Sequence, residues 1–479
     1  MPRRWPGLIW ALAALGLYAA TGARGPMWAD SAKLTIYALA SYLPSFNPGD
    51  HPGWVVMARV WLALTPWLDP VSSLNLLSAA AGAAVVGLLF LAVVQRHGDA
   101  RAAHTAAAIA LVAHPLWWAS TLTETYAPAL ALSLGCVLAA SAADRRKRAL
   151  LAGSLAGLAL AVHAFTLFLT VPALLAVPRR RWLALVVGGV VGGAPVWLAV
   201  LGAPPDPLTG YLAGTPTSWG WHVGSFLELS RAPGGVARLL VLLLFALGPL
   251  GVLAVVFGRR GRPAGGEGPT TAAILAVVAL VVVVSTYSPF RAHVMSSFLV
   301  VGGLALWPVR LGRLGRVAHI LLQTGLYLLA PLAAHAVSFG DLGARHLSGR
   351  DNASYFLSPW KCCYHGPESY ARALLAVVPE RSLVLADFNP GAVLRLVQLR
   401  GGLRPDVEIV PTAVDDAKVA PDPAGNLAAR IRAGLRSGRP VVLADSWEPY
   451  YHTRELRRLG FDLTPCGPGL LVSEGAADN

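Results

Sequence analysis

Long apolar runs, separated by short arginine clusters, leave this chain few folds to choose from. Runs such as 72–94 and 236–257 are long enough to cross a bilayer as helices, which satisfy their own backbone polar groups. Hydrophobic residues make up 55% of the chain and charged residues 13%, which excludes an ordinary soluble globule. A formal charge of +14 would suggest nucleic acid in a soluble domain. Here the excess falls in short loops between apolar runs, where it sets topology instead.

Arg3 and Arg4 precede the first apolar run and place the N-terminus in the cytoplasm. The start has the basic end and short apolar core of a signal peptide, but the long hydrophobic chain behind it favours an uncleaved span. Spans are expected near 7–23, 72–94, 104–119, 126–143, 149–164, 166–178, 183–201, 236–257, 270–287, 294–309 and 317–337, eleven in all. The segment 53–68 is barely long enough to cross, carries Arg59 and holds Pro66. A crossing there would turn the clusters 145–148, 179–181 and 259–262 outward. Lying along or dipping into the outer leaflet, it leaves them inside with Arg96, Arg101, Arg310, Arg313 and Arg316.

Beyond 338 the composition changes. SLVLAD (382–387), VEIVP (407–411) and PVVLAD (440–445) read as short strands, and 389–400 and 423–437 have helical periodicity. The expected fold is an all-α polytopic membrane domain over 1–337, with juxtamembrane helices in the loop 24–71. A C-terminal extracytoplasmic α/β domain with a largely parallel sheet follows over 338–479. Asp387 and Asp445 end strands, where sites often form, although an acid closing a strand is also ordinary turn chemistry. Asn352-Ala353-Ser354 matches the glycosylation sequon. Cysteines 136, 362, 363 and 466 have no metal-site spacing, and a bond from Cys362 or Cys363 to Cys466 is open.

The informative polar residues fall on the outer face. The stretch 28–54 carries Asp30, Lys33, Asp50 and His51, and prolines 44, 48 and 52 keep it from being one helix. Asp30 is the candidate catalytic carboxylate with His51 nearby; the plain alternative is a re-entry loop whose polar groups face water. In HPLWWASTLTETYAP, Glu124 is placed to orient an acceptor hydroxyl, bind a metal or pair with an arginine. Trp117 and Trp118 suit either a membrane belt or stacking on sugar. His163 ends an outward span, and the loop 202–235, with Trp219, Trp221, His222 and Glu228, suits a lid. Arg291 and His293 stand on the outer face against the usual charge bias, as do Arg345, His346 and Arg350. Carboxylates beside cations at phosphate depth suit transfer from a lipid-phosphate-linked donor. Lipid binding without chemistry, or transport, is the rival reading, although the polar groups cluster outside the midplane.

These residues resemble the bacterial members of the protein O-mannosyltransferase-like family, of the GT-C glycosyltransferase superfamily. Asp30-Ser31-Ala32-Lys33, His51-Pro52-Gly53 and Asn75-Leu76-Leu77-Ser78 parallel its first outer-loop pattern. Trp118, Ser120, Glu124 and Tyr126 parallel its second. The resemblance implies a GT-C-like membrane enzyme of the bacterial inner membrane that moves a sugar, mannose in that family, from a polyprenyl-phosphate donor by inversion. Asp30 inherits the catalytic role, with Glu124 and His51 in support. Arg291, His163 and Lys33 are the candidate phosphate contacts; Trp28, Trp118, Tyr126 and His293 are candidates for the acceptor or sugar. Lys33 stands where the family has an acid, which argues against a metal bridged between positions 30 and 33. No cofactor is required by the pattern, and a divalent metal is compatible with it. The acceptor is a protein, lipid or cell-wall glycan hydroxyl; a catalytically inactive lipid-binding or transport protein is the alternative.

Overall fold

The computed structural model describes residues 5–40, 51–143, 145–202, 232–257, 289–307, 309–342, 345–411 and 422–475. Among the described residues the chain up to Ala336 is helical. In chain order come α1 (Trp5–Thr21), α2 (Asp30–Leu39), α3 (Pro52–Leu64), α4 (Pro70–His97), α5 (Ala100–Leu111), α6 (His114–Ala119) and α7 (Tyr126–Ala140). Next are α8 (Arg146–Val162), α9 (Leu167–Leu175), α10 (Trp182–Gly192), α11 (Ala194–Gly202), α12 (Ala232–Phe257), α13 (Pro289–Leu306) and α14 (Arg313–Ala336).

Helices α4 and α14 are each long and apolar enough to cross a bilayer alone. Other expected spans appear as shorter or broken helices. The stretch 104–119 divides between α5 and α6 just ahead of Pro115, and 183–201 divides at Gly193, just ahead of Pro195. The expected span 270–287 lies outside the described residues. Breaks within hydrocarbon need partners for the carbonyls they free. One side chain serves two of them: the Tyr327 hydroxyl donates toward Val112 O (3.0 Å) at the α5–α6 break and Phe245 O (3.1 Å) beside the α12 kink. That kink falls at Gly248, with φ 64° and ψ 169°, ahead of Pro249. Gln323 Nε2 adds a bond to Phe245 O at 2.7 Å. Outward-facing side chains such as Leu183, Val190, Leu201, Leu314 and Leu329 are exposed, so the bundle presents apolar surface suited to lipid.

Side-chain clasps order the bundle's two ends. At one end Gln95 donates to Ser141 Oγ (2.6 Å) and Arg310 pairs with Asp99 (2.5 Å). Helices α8 and α10 run parallel in close contact, because a Cβ on Gly153 would lie 2.0 Å from Leu185 O and one on Gly157 2.2 Å from Gly189 O. The arginines opening α8 and α10 therefore share that end with Arg96, Arg101 and Arg310. At the other end Asn75 Nδ2 donates to Ala23 O (2.9 Å) and Thr123 Oγ1 to Asn75 Oδ1 (2.8 Å). Helix α3 is tied to this end twice. His51 Nδ1 lies 2.8 Å from Val162 O, and Trp61 Nε1 donates to Ser73 O at 2.8 Å. Anchored at both its ends to one end of the bundle, α3 does not cross it.

The C-terminal part packs α15 (Asn352–Leu357), α16 (Gly366–Val377), α17 (Phe388–Gly401) and α18 (Pro423–Arg436) with a five-stranded sheet. Strands β1 (Leu383–Ala386), β2 (Glu408–Pro411), β3 (Val441–Leu443), β4 (Phe461–Cys466) and β5 (Gly469–Glu474) lie in the order β2-β1-β3-β5-β4. The first three are parallel, as their apolar runs suggested; β4 and β5 form an antiparallel hairpin on β3. The sheet is thus mixed, and its hairpin turns at Gly467, in the left-handed region that glycine tolerates.

Candidate functional site

Helix α2 starts at Asp30, so this carboxylate sits at the positive end of the helix dipole. The residue before it, Ala29, holds φ 53° and ψ −121°, a conformation costly for a side chain with a Cβ and found most often at functional turns. Trp28 is buried against the C-terminal domain: its Nε1 donates to the Tyr364 hydroxyl (3.3 Å) and its ring lies 5.5 Å from that of Tyr370. Lys33, one turn into α2, is buried with its ammonium over the rings of Tyr37 (5.4 Å) and Phe388 (5.8 Å). It therefore points toward the start of α17.

Glu124 lies buried in the turn joining α6 to α7, where its N–H donates to Ser78 Oγ (3.3 Å). Trp118 is also buried, with Nε1 donating to Tyr355 O (2.9 Å) and its ring edge-on to Tyr355 at 5.9 Å. The indoles of Trp28 and Trp118 thus dock the C-terminal domain. Tyr355 is buried beside Trp118 on the same side of the bundle. Burial above all, then the charge of Glu124 and the neighbouring Tyr364, pushes its hydroxyl above the ordinary phenol range, with a lesser part from Asp30.

A second group gathers His51, His163 and Tyr126. The two imidazoles stack at 5.1 Å and 17°, and Tyr126 meets His163 at 5.1 Å. Their tautomers follow from their partners. His163 Nδ1 accepts from Phe165 N–H (3.1 Å), so its ring proton sits on Nε2. His51 Nδ1 faces a carbonyl, which only accepts, so that nitrogen carries the proton. Arg291 and His293 open α13, with side chains outside the described residues. Asp50, Trp219, Trp221, His222 and Glu228 lie outside them altogether.

The strand-ending acids serve the C-terminal domain itself. Arg345 Nη1 and Nη2 donate to Asp387 (2.8 and 2.7 Å), and its Nε donates to Asp445 (2.9 Å). Burial works against the Arg345 charge, yet the bond to Asp387 holds its pKa above the ordinary guanidinium range. Tyr451 donates to Asp387 at 2.7 Å, and the guanidinium lies 4.7 Å from the Trp447 ring. The pair of acids thus grips an arginine of the same chain. Asn352 of the sequon is buried, accepting from Arg350 (2.7 Å) and donating to Arg345 O (3.2 Å). The cysteines are free: Cys362 and Cys363 approach to 3.6 Å, while Cys466 faces Val377 O. Among the described residues, no three His, Cys, Asp or Glu side chains group as a metal site.

Sequence reasoning did not single out Tyr355 or Lys361. Their only local signal is one lysine in an aromatic-rich stretch, 355–364.

No family model and no curated protein matches this chain. Solved structures share its fold over nearly the whole length. ArnT from Cupriavidus metallidurans in the apo state aligns with a TM-score of 0.54 and 15% identity, covering 97% of this chain and 96% of that one. The same protein bound to undecaprenyl phosphate aligns at 0.52 and 13%, covering 98% of each. The chain has an ArnT-like fold; kinship with GT-C glycosyltransferases and O-mannosyltransferase-like proteins rests on the motifs alone.

Proposed function

We propose that this protein is a membrane glycosyltransferase that moves a sugar from a polyprenyl-phosphate donor to an acceptor hydroxyl on the side of its C-terminal domain, taken as extracytoplasmic. The observation that carries this reading is a fold shared end to end with a protein crystallised with undecaprenyl phosphate, in which Asp30 opens α2 and Glu124 is buried in the α6–α7 turn.

In this mechanism Asp30 accepts the proton of the acceptor hydroxyl as its oxygen attacks the anomeric carbon. The bond from that carbon to the phosphate oxygen breaks on the opposite face, with inversion, and polyprenyl phosphate leaves with the electron pair. Glu124 orients the acceptor from the α6–α7 turn. His163, whose Nε2 carries the ring proton and whose ring stacks on His51, donates to the phosphate. Arg291 supplies a charge at the same step. Mannose is the candidate sugar, and the acceptor is a protein, lipid or cell-wall glycan hydroxyl.

The test compares membranes holding wild type and Asp30→Asn at equal expression. Transfer of labelled sugar from the polyprenyl-phosphate pool should be lost in the variant while undecaprenyl phosphate still binds. Equal lipid binding by both, with no transfer by either, favours the non-enzymatic alternative.

A further inference from the structure

The loop that ties the C-terminal domain to the end of α1 carries two adjacent thiols. Cys362 is half-buried and Cys363 exposed, and their sulfurs stand 3.6 Å apart. Their backbone is held on both sides. The N–H groups of Lys361 and Cys362 donate to Thr21 O at 2.7 and 3.1 Å. Tyr364 N–H donates to Lys361 O at 3.1 Å, so the two cysteines are the central residues of a turn. The Lys361 side chain is fully buried. Its Nζ donates to Ser358 O (2.5 Å), Tyr355 O (2.6 Å) and Ser354 O (3.1 Å), one acceptor for each ammonium proton. Just past the thiols, the Tyr364 hydroxyl accepts from Trp28 Nε1. The pair therefore sits on a fixed strap between the end of α1 and the segment leading into Asp30.

We propose that Cys362 and Cys363 are a redox modification site, closing reversibly to a disulfide between neighbouring residues by exchange with a disulfide oxidant. Cys363 is the thiol an oxidant in solution reaches. Its thiolate attacks one sulfur of the oxidant, and the other sulfur leaves as a thiolate. Cys362, on losing its own proton, attacks the Cys363 sulfur of that mixed disulfide and expels the second oxidant thiolate. Two protein thiols are thereby oxidised to one disulfide, the oxidant's disulfide is reduced to two thiols, and the two protons pass to them. Cys466, whose sulfur faces Val377 O, takes no part. Adjacent Cα atoms lie about 3.8 Å apart, closer than ordinary disulfides allow, so the bond is strained and easily reduced. That is the labile, redox-responsive kind rather than the structural kind. Such a pair suits the oxidising side of the membrane, where the C-terminal domain is taken to lie. The inference is independent of the sugar-transfer reading.

The test uses the reduced full-length protein in nanodiscs, exposed to oxidised glutathione, capped with a maleimide and digested for mass spectrometry. The peptide holding both cysteines should lose the mass of two hydrogen atoms and take no maleimide. Dithiothreitol should restore the mass and the uptake of two maleimides. Phenylarsine oxide, a trivalent arsenical that bridges paired thiols, should protect the reduced pair from oxidation. Cys466→Ser should change none of this. Cys362→Ser, which removes the resolving thiol, should instead stop at a glutathione adduct on Cys363. Two free thiols after oxidation, stable glutathione adducts on the wild-type pair, or a bond from either cysteine to Cys466 overturns the proposal. Each of these readouts is made on protein without substrate, so a failure to transfer sugar leaves them unchanged.

Discussion

The imidazole rings of His51 and His163 lie face to face, 5.1 Å apart and 17° from parallel, although they come from different helical junctions. His51 begins α3 in the left-handed region, φ 53°, and its Nδ1–H bonds the last carbonyl of α8, Val162 O. Two residues on, Gly53 makes the approach feasible, since a Cβ there would stand 2.6 Å from that of Ala161. Removing either ring should cost about 1 kcal/mol, the ordinary worth of a hydrogen bond or ring contact. His51→Ala and His163→Ala together should cost less than their sum by about 0.5 kcal/mol or more. A double-mutant cycle on thermal unfolding in detergent measures this; strict additivity would mean the contact carries no coupling.

The α8–α10 seam is a stripe of glycines with no room for a methyl group. Gly153→Ala puts a Cβ 2.0 Å from Leu185 O, and Gly192→Ala puts one 1.9 Å from Ser154 O, both against backbone. Each should destabilise the protein by about 2 kcal/mol or more as the helices are forced apart. Gly16→Ala, with nothing within 4 Å, is the matched control and should be neutral or slightly stabilising. Monodisperse yield by size exclusion and the thermal midpoint report the difference.

Orientation is tested by accessibility. Trp67 is 76% exposed in the turn between α3 and α4, at the end that carries the C-terminal domain. Arg180 is exposed ahead of α10, at the opposite end. In a background lacking Cys362, Cys363 and Cys466, Trp67→Cys should react with an impermeant maleimide in intact cells, and Arg180→Cys only after permeabilisation. Reaction of both from one side would contradict the arrangement.

The arginine clusters are the sequence's basis for this expected arrangement, because charge bias acts locally and repeats at each loop. The same bias led to the expectation that α3 stays on one face, and its anchors at Val162 and Ser73 hold both its ends to one end of the bundle. Helix lengths were less legible. The breaks at Val112 and Gly248 depend on Tyr327 and Gln323, far along the chain, to satisfy freed carbonyls, and no local pattern announces that. The parallel strands were readable as apolar runs, whereas β4 and β5, mostly half-buried or exposed, escaped notice. Asp30, Lys33, His51 and Glu124 drew attention as polar residues in an apolar chain. Tyr355 and Lys361 did not, since their setting exists only once α15 folds back over Trp118.

The central claim is that Asp30 is the base for transfer from a polyprenyl-phosphate-linked sugar. Its most direct test is the rate of sugar transfer by purified Asp30→Asn against wild type, with undecaprenyl phosphate binding measured on the same samples. Loss of a general base should slow transfer by about a hundredfold or more with binding retained. Transfer by Asp30→Asn at the wild-type rate would contradict the account.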